Sequence, residues 1–319
     1  MSSLTTKVEV PNVVLQSSFT MPLIGLGTAA ESNGDQPIKQ AVLEAIKVGY
    51  RHFDTASMYG SEQALEQAIS EALKLGLINS RDQLFITSKL WLPDNHPHLV
   101  LPSLQKSLQT LGLEYLDLYL IHWPMSAKPG TWDFPFQQEE IVPFDLKGVW
   151  ASMEECHNLG LTKSIGVSNF STKKLEHLLS FATIPPAVNQ VEMNASWQQK
   201  NLTEYCKSKG IIVTAYSPLG GKGTIWGSNE VMDSELLKEI AQAHGKTVAQ
   251  VSLRWLYEQG VSFVVKSYNK ERIKQNLDIF DFTLTNDDYQ KISQIRQERK
   301  VKNGPAGFLV ADLWDGEDY

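Results

Sequence analysis

Four side chains, Asp54, Tyr59, Lys89 and His122, could together handle a proton at a carbonyl group. A phenol hydroxyl can protonate a carbonyl oxygen that is receiving hydride, but its ordinary pKa of about 10 makes it a slow acid at neutral pH. A cationic Lys89 favours the phenolate and lowers that value, while Asp54 can pair with the lysine and fix it. His122 supplies a second hydrogen bond to the same oxygen and orients the substrate. Taken singly, each residue has an ordinary explanation: a loop cap, a packing tyrosine, a solvated lysine, a satisfied core histidine. Their joint placement argues against four such accidents.

That placement depends on the elements that carry them. Short apolar runs alternate with longer amphipathic ones along the chain, the pattern of a parallel sheet with crossover helices. Strands are predicted at Leu23–Gly25, His52–Asp54, Phe85–Lys89, Leu116–His122, Ser164–Ser168, Val188–Glu192, Ile211–Tyr216 and Ser262–Val265. Helices are predicted over Gln36–Lys47, Ser61–Leu75, Leu99–Leu111, Leu146–Leu159, Ser171–Ala182, Asn201–Lys209, Lys270–Ile279 and Thr285–Gln294. Ser61 and Ser171 mark helix starts, and Gly76, Gly160 and Gly210 mark helix ends. The pattern predicts an α/β protein: a single (β/α)8 TIM barrel domain over residues 1–319, with long substrate loops and a C-terminal tail loop from Arg296. Asp54, Lys89 and His122 then fall at the C-terminal ends of strands two, three and four, the face that holds the active site in barrel enzymes.

Composition excludes several function classes. The net charge of −7, from 29 basic and 36 acidic residues, is spread without long like-charge blocks, which disfavours nucleic-acid and membrane partners. Two cysteines, Cys156 and Cys206, make neither a disulfide framework nor a zinc pattern and read as helix residues of a protein from a reducing compartment. The polar N-terminus lacks a secretory signal, so a cytoplasmic protein is expected. No coiled-coil seam is apparent, and a monomer is the expectation.

The runs GYRHFDTASMYGSE (49–62), ITSKLW (86–91), LDLYLIHWP (116–124), SIGVSNF (164–170), VNQVEM (188–193), TAYSPLG (214–220) and VVKSYNKERIKQN (264–276) closely resemble those of the aldo-keto reductases. The likeness covers nearly the whole chain, and Asp54, Tyr59, Lys89 and His122 match that family's catalytic tetrad position by position. Within the family the sequence is most similar to the plant branch that includes chalcone, codeinone, methylecgonone and galacturonate reductases. Asn194, where many members carry histidine, and Ala29, where some relatives place an aromatic residue, are its departures.

The resemblance implies NADPH as cofactor, lying across the barrel mouth. Gly25-Leu26-Gly27-Thr28 lacks the third glycine of a Rossmann fingerprint, and Gly220-Gly221-Lys222 lacks the spacing of a phosphate loop. By the family match, Thr28 and Asp54 lie near the nicotinamide, Ser168, Asn169 and Gln190 hold its carboxamide, Tyr216 stacks on its ring, and Ser217 and Leu219 meet the pyrophosphate. Lys266, Ser267, Arg272 and Asn276 read the adenosine end, and two cations with a hydroxyl suit the extra phosphate of NADPH. Substrate walls are expected from Ala29, Trp91, His122, Trp123 and Trp226, with Phe134, Phe136, Phe308 or Leu309 from the loops, whereas Trp150 and Trp255 read as packing. Aromatic walls favour a flat, apolar or cationic ring carbonyl over a polyanion. Three other readings stay open: a reductase that takes an unstable intermediate from a polyketide synthase, a non-enzymatic NADPH-binding subunit, and a barrel hydrolase or isomerase without nucleotide.

Overall fold

The structure is a computed structural model that describes residues 9–29, 34–132, 134–224, 227–306, 308 and 313–317. An antiparallel hairpin of β1 (Asn12–Val14) and β2 (Thr20–Pro22) comes first. Then follow β3 (Ile24–Gly27), β4 (His52–Asp54), β5 (Phe85–Leu90) and β6 (Leu118–Ile121). After a small hairpin of β7 (Ser126–Ala127) and β8 (Ile141–Val142) come β9 (Ile165–Ser168), β10 (Val188–Glu192), β11 (Ile212–Tyr216) and β12 (Ser262–Val265). Strands β3 to β6 and β9 to β12 pair in parallel, and β12 returns to β3 through Phe263–Ile24, Val264–Gly25 and Val265–Leu26, closing an eight-stranded barrel.

Helices α1 (Asp35–Val48), α2 (Glu62–Lys74), α3 (Pro97–Leu111), α4 (Leu146–Asn158), α5 (Thr172–Leu179) and α6 (Lys200–Ser208) connect successive barrel strands. The β11–β12 connection carries α7 (Glu230–Asp233), α8 (Glu235–His244) and α9 (Val248–Glu258), and α10 (Lys270–Gln275) and α11 (Asn286–Ser293) follow the barrel. Each long helix buries one apolar stripe. Ile38, Val42, Ala45 and Ile46 of α1 meet Leu65, Ala68, Ile69 and Ala72 of α2 in the main core, each large side chain contributing about 1.5–3 kcal/mol.

Inside the barrel, side chains alternate as a pleated strand requires. Phe85, Leu118, Leu120 and Val188 form an apolar floor with Leu15 and Met21 of the first hairpin, so that hairpin plugs the N-terminal end. Just above, His52 bridges the Pro22 carbonyl (Nδ1, 3.1 Å) and the Thr87 hydroxyl (Nε2, 3.2 Å). Gly25 is obligatory beside it, because a Cβ there would lie 2.9 Å from His52 Nδ1 and 3.0 Å from Val264 Cγ1.

Three local expectations need correction. The first barrel strand runs on to Gly27, since Gly25 is a packing glycine within the strand and not its end. The fourth shortens to Leu118–Ile121: Asp117 turns aside to pair with Arg81 at 2.7 Å, and Leu116 makes only an isolated bridge to Thr162. Ser61 stands at the start of α2 but its hydroxyl caps no backbone N–H there, whereas Ser171 caps α5 by accepting from the Lys174 amide. Cys156 and Cys206 are unpaired and buried in helices.

Candidate active site

Three adjacent strands deliver three groups to one rim. Asp54 ends β4, Lys89 is the penultimate residue of β5, and His122 follows β6 directly. Lys89 is fully buried, and its ammonium donates to Asp54 Oδ1 at 2.5 Å and to the Thr55 carbonyl at 2.9 Å. The other Asp54 oxygen accepts from Gln190 Nε2 at 2.8 Å. Both carboxylate oxygens are thus engaged, which is the condition under which a buried ion pair is tolerated. Tyr59 ends a 3-10 turn (Ser57–Tyr59) that Gly60 terminates in the left-handed region at φ 65°. The turn brings the Tyr59 hydroxyl to 3.3 Å from His122 Nε2, with Lys89 Nζ 4.9 Å from the phenol ring centre. His122 Nδ1 has no partner among the described residues, and Nε2 is the ring nitrogen that faces Tyr59.

The electrostatics follow from this enclosure. Burial pushes the Lys89 ammonium down, but the Asp54 charge and then Tyr59 outweigh it, and the group sits above its ordinary value. Burial raises the Tyr59 phenol; Lys89 opposes the rise without reversing it. Sequence reasoning predicts a lowered Tyr59, and the structure corrects that, because desolvation at this depth exceeds the benefit of one cation. Burial and then the Lys89 charge hold His122 well below the ordinary imidazole range. At neutral pH the site therefore presents a neutral phenol, a neutral imidazole and a paired ammonium. Such a set can donate to an oxygen gaining negative charge.

The residues expected around a nicotinamide meet beside these groups. Ser168 Oγ donates to the Gln190 carbonyl at 2.8 Å, Asn169 Nδ2 donates to the His122 carbonyl at 3.0 Å, and the Tyr216 hydroxyl donates to Asn169 Oδ1 at 2.8 Å. Asn169 (φ 63°) and Ser217 (φ 50°) hold left-handed backbone at the ends of β9 and β11, strain of the kind that gathers at working sites. Thr28 donates to the Asp54 carbonyl at 3.0 Å, and its hydroxyl and that of Thr55 each lie 2.8 Å from Ser61 Oγ. Ser61 thus ties the ends of β3 and β4 together. Leu219 is half-buried against the main core. Beyond β12, Lys266 and Arg272 are exposed and neither pairs with a carboxylate among the described residues, while Ser267 and Asn276 are buried beside them.

Trp91 and Trp123 are buried and join Met125, Phe136, Val301, Leu313 and Trp314 in a separate apolar cluster, with Trp91 ring-to-ring against His122 at 5.0 Å. Ala29 is half-buried and Phe134 exposed; Phe308 is half-buried, and Trp226 and Leu309 lie outside the described residues. Trp150 and Trp255 are part of the main core. Sequence reasoning missed Trp314, Thr55 and Glu192, of which only Trp314, an aromatic residue in an aperiodic tail, carried any visible signal. Among the described residues, no helix is long and apolar enough to cross a membrane and no group of His, Cys, Asp and Glu could hold a metal ion.

A family model described as Aldo/keto reductase family matches residues 23–297. The chain belongs to the aldo/keto reductase family. It is an oxidoreductase whose substrate is a small carbonyl compound. It is 61% identical over 313 residues to NAD(P)H-dependent 6'-deoxychalcone synthase of Glycine max, covering 97% of this chain and 98% of that one. Identity is 59% with (1S)-1,7-diacetoxy-luvungin A aldo-keto reductase of Citrus sinensis, at 93% and 95% coverage. A crystal structure of a Bombyx mori aldo-keto reductase in complex with NADP superposes with a TM-score of 0.84 at 39% identity, covering 92% of this chain and 95% of that one. The aldose reductase of Schistosoma japonicum gives 0.87 at 34% identity, with 97% and 100% covered.

Proposed function

We propose that this aldo/keto reductase is a cytoplasmic, monomeric, single-domain enzyme that reduces an aldehyde or ketone of plant specialised metabolism to the alcohol with NADPH. The observation that carries the reading is the contact of Tyr59 with His122 at 3.3 Å, backed by the buried Lys89–Asp54 pair. The residues present fit the dinucleotide: Lys266 and Arg272 are exposed and pair with no carboxylate among the described residues, which leaves both cations for a 2'-phosphate, and Tyr216, Ser168, Asn169 and Gln190 converge beside Asp54. The NADP complex of the Bombyx mori relative supports the same choice. Bound NADPH supplies the hydride. Tyr59 gives its proton to the carbonyl oxygen, and His122 Nε2 holds that oxygen in line. Lys89 stabilises the phenolate that Tyr59 becomes, and Asp54, fixed by Gln190, keeps Lys89 in place. Ser217 and Leu219 would hold the pyrophosphate, and Ser267 and Asn276 the adenosine end.

Trp91, Trp123 and Phe136 give the substrate an aromatic wall, which suits a ring ketone. The names of the plant relatives support specialised metabolites as the class. The test is loss of reduced-nicotinamide absorbance with purified protein against aromatic aldehydes, polyketide and alkaloid ketones, and uronic acids. Turnover of one ring-ketone class far above the uronic acids is expected. Turnover only when a polyketide synthase is added would favour an intermediate passed on by that enzyme, and no turnover in either case would overturn the reading.

A further inference from the structure

The tail beyond α11 is fastened at two places that barrel closure does not require. At its near end, Glu192, the last residue of β10, accepts the backbone N–H groups of Lys300 (3.1 Å) and Val301 (3.0 Å), and the Glu298 amide donates to the Ser196 carbonyl at 2.8 Å. At its far end, two acidic residues seat on the first turn of α5. The Asp315 carboxylate accepts from the Ser171 hydroxyl and from Lys174 Nζ at 2.6 Å. Both oxygens of Glu317 accept from the Thr172 amide, at 2.9 and 3.1 Å. Lys173 Nζ adds a bond to the Asp315 carbonyl at 3.1 Å, and Arg299 Nη2 reaches the Glu317 carbonyl at 2.9 Å. The exposed amides and positive end of a helix N-terminus favour carboxylates here.

Trp314 stands immediately before this anchor. Its indole N–H donates to the Lys302 carbonyl at 2.8 Å, the Arg299 guanidinium lies 3.8 Å from its ring centre, and its ring meets Trp123 edge-on at 5.9 Å. Trp123 in turn shares a cluster with Trp91, which touches His122. A chain of contacts therefore runs from the two carboxylates to the wall of the carbonyl site, and no member of the proton-transfer set lies on it.

We propose that Asp315 and Glu317 are specificity-determining positioning residues: by latching the tail to α5 they hold Trp314 against Trp123, and so set affinity for bulky carbonyl substrates while leaving cofactor binding and the chemical step alone. The proposal rests on the carbonyl-reductase reading of the site. Lys174 and Asp315 are only partly buried, so the latch is open to screening by salt.

The test compares the NADPH-loaded enzyme with an Asp315→Asn/Glu317→Gln double variant and with Trp314→Leu, on a bulky aromatic ketone and on a short aliphatic aldehyde. Loss of the charge-assisted latch in the first variant, and of the ring it positions in the second, predicts a rise in KM for the ketone of about tenfold or more in both. The kcat values, the KM for the aldehyde and the NADPH Kd are expected to stay as in the native enzyme. A Lys174→Asp/Asp315→Lys exchange should recover part of the lost ketone affinity, and added salt should raise the native KM for the ketone more than that of the double variant. An unchanged ketone KM, an equal rise for both substrates, or a loss confined to kcat or NADPH binding would overturn the proposal. If the native enzyme reduces neither compound, the reductase reading fails separately. The latch is then read by limited proteolysis, where faster trimming of the tail in the double variant supports it and an unaltered rate sinks it.

Discussion

The two ends of the barrel use the same strands and opposite rules. At the N-terminal end, buried His52 has both ring nitrogens occupied, by Pro22 and Thr87, over an apolar floor plugged by the first hairpin. At the C-terminal end, buried His122 keeps Nδ1 without a partner among the described residues and points Nε2 at Tyr59. Burial holds both imidazoles below their ordinary value, so desolvation alone does not separate His52 from His122, the histidine proposed to meet the substrate. What separates them is satisfaction. The His52 ring has both nitrogens committed within the fold, whereas His122 keeps one nitrogen uncommitted and sets the other beside the Tyr59 hydroxyl.

This contrast is open to direct attack by substitution. Lys89→Met leaves the Asp54 carboxylate buried without its cation, and should cost about 3–5 kcal/mol in urea denaturation together with most turnover; a variant of native stability would mean the ion pair is not what holds this end. His52→Leu orphans the Pro22 carbonyl and the Thr87 hydroxyl and should cost about 1–3 kcal/mol with turnover unchanged. A selective loss of turnover there would erase the distinction between the two ends. Lys266→Ala should weaken NADPH by roughly tenfold, the worth of one charge-assisted bond, without altering NADH binding in fluorescence titrations; equal losses for both would remove Lys266 from phosphate recognition.

The smallest effects are those of pH. The folded values of His52 and His122 are depressed, so the unfolded chain binds more protons in acid, and the stability they contribute is present above about pH 6.5 and lost as pH falls below it. Tyr59 and Lys89 are raised, so their contribution is present below about pH 10 and lost above it. Denaturation midpoints across pH should therefore form a plateau with both shoulders. Exchange of His52 for leucine should soften the acid shoulder, and an unaltered shoulder would show that His52 is not buried neutral.

Much of this was legible in the sequence for an identifiable reason. Asp54, Lys89 and His122 sit at the ends of short apolar runs, and a parallel barrel converts strand ends into one rim. The eight strands were legible because strands buried on both faces read as apolar runs. Other features depend on neighbours distant in sequence. Gly25 looks like a strand terminus until His52 is seen against it, and Ser61 looks like a cap until Thr28 and Thr55 claim its hydroxyl. The raised Tyr59 was invisible because depth, not the nearest charge, sets its sign. The aperiodic tail gave no sign that Glu192 and α5 would fasten it, since bonds to backbone amides leave no spacing to read.

The most direct test of the account is Tyr59→Phe, assayed for reduced-nicotinamide consumption and for NADPH affinity on the same preparation. A loss of turnover of about 10²–10⁴-fold, the usual worth of a general acid, with NADPH affinity retained is the predicted result. Undiminished turnover in that variant would contradict Tyr59 as the proton donor.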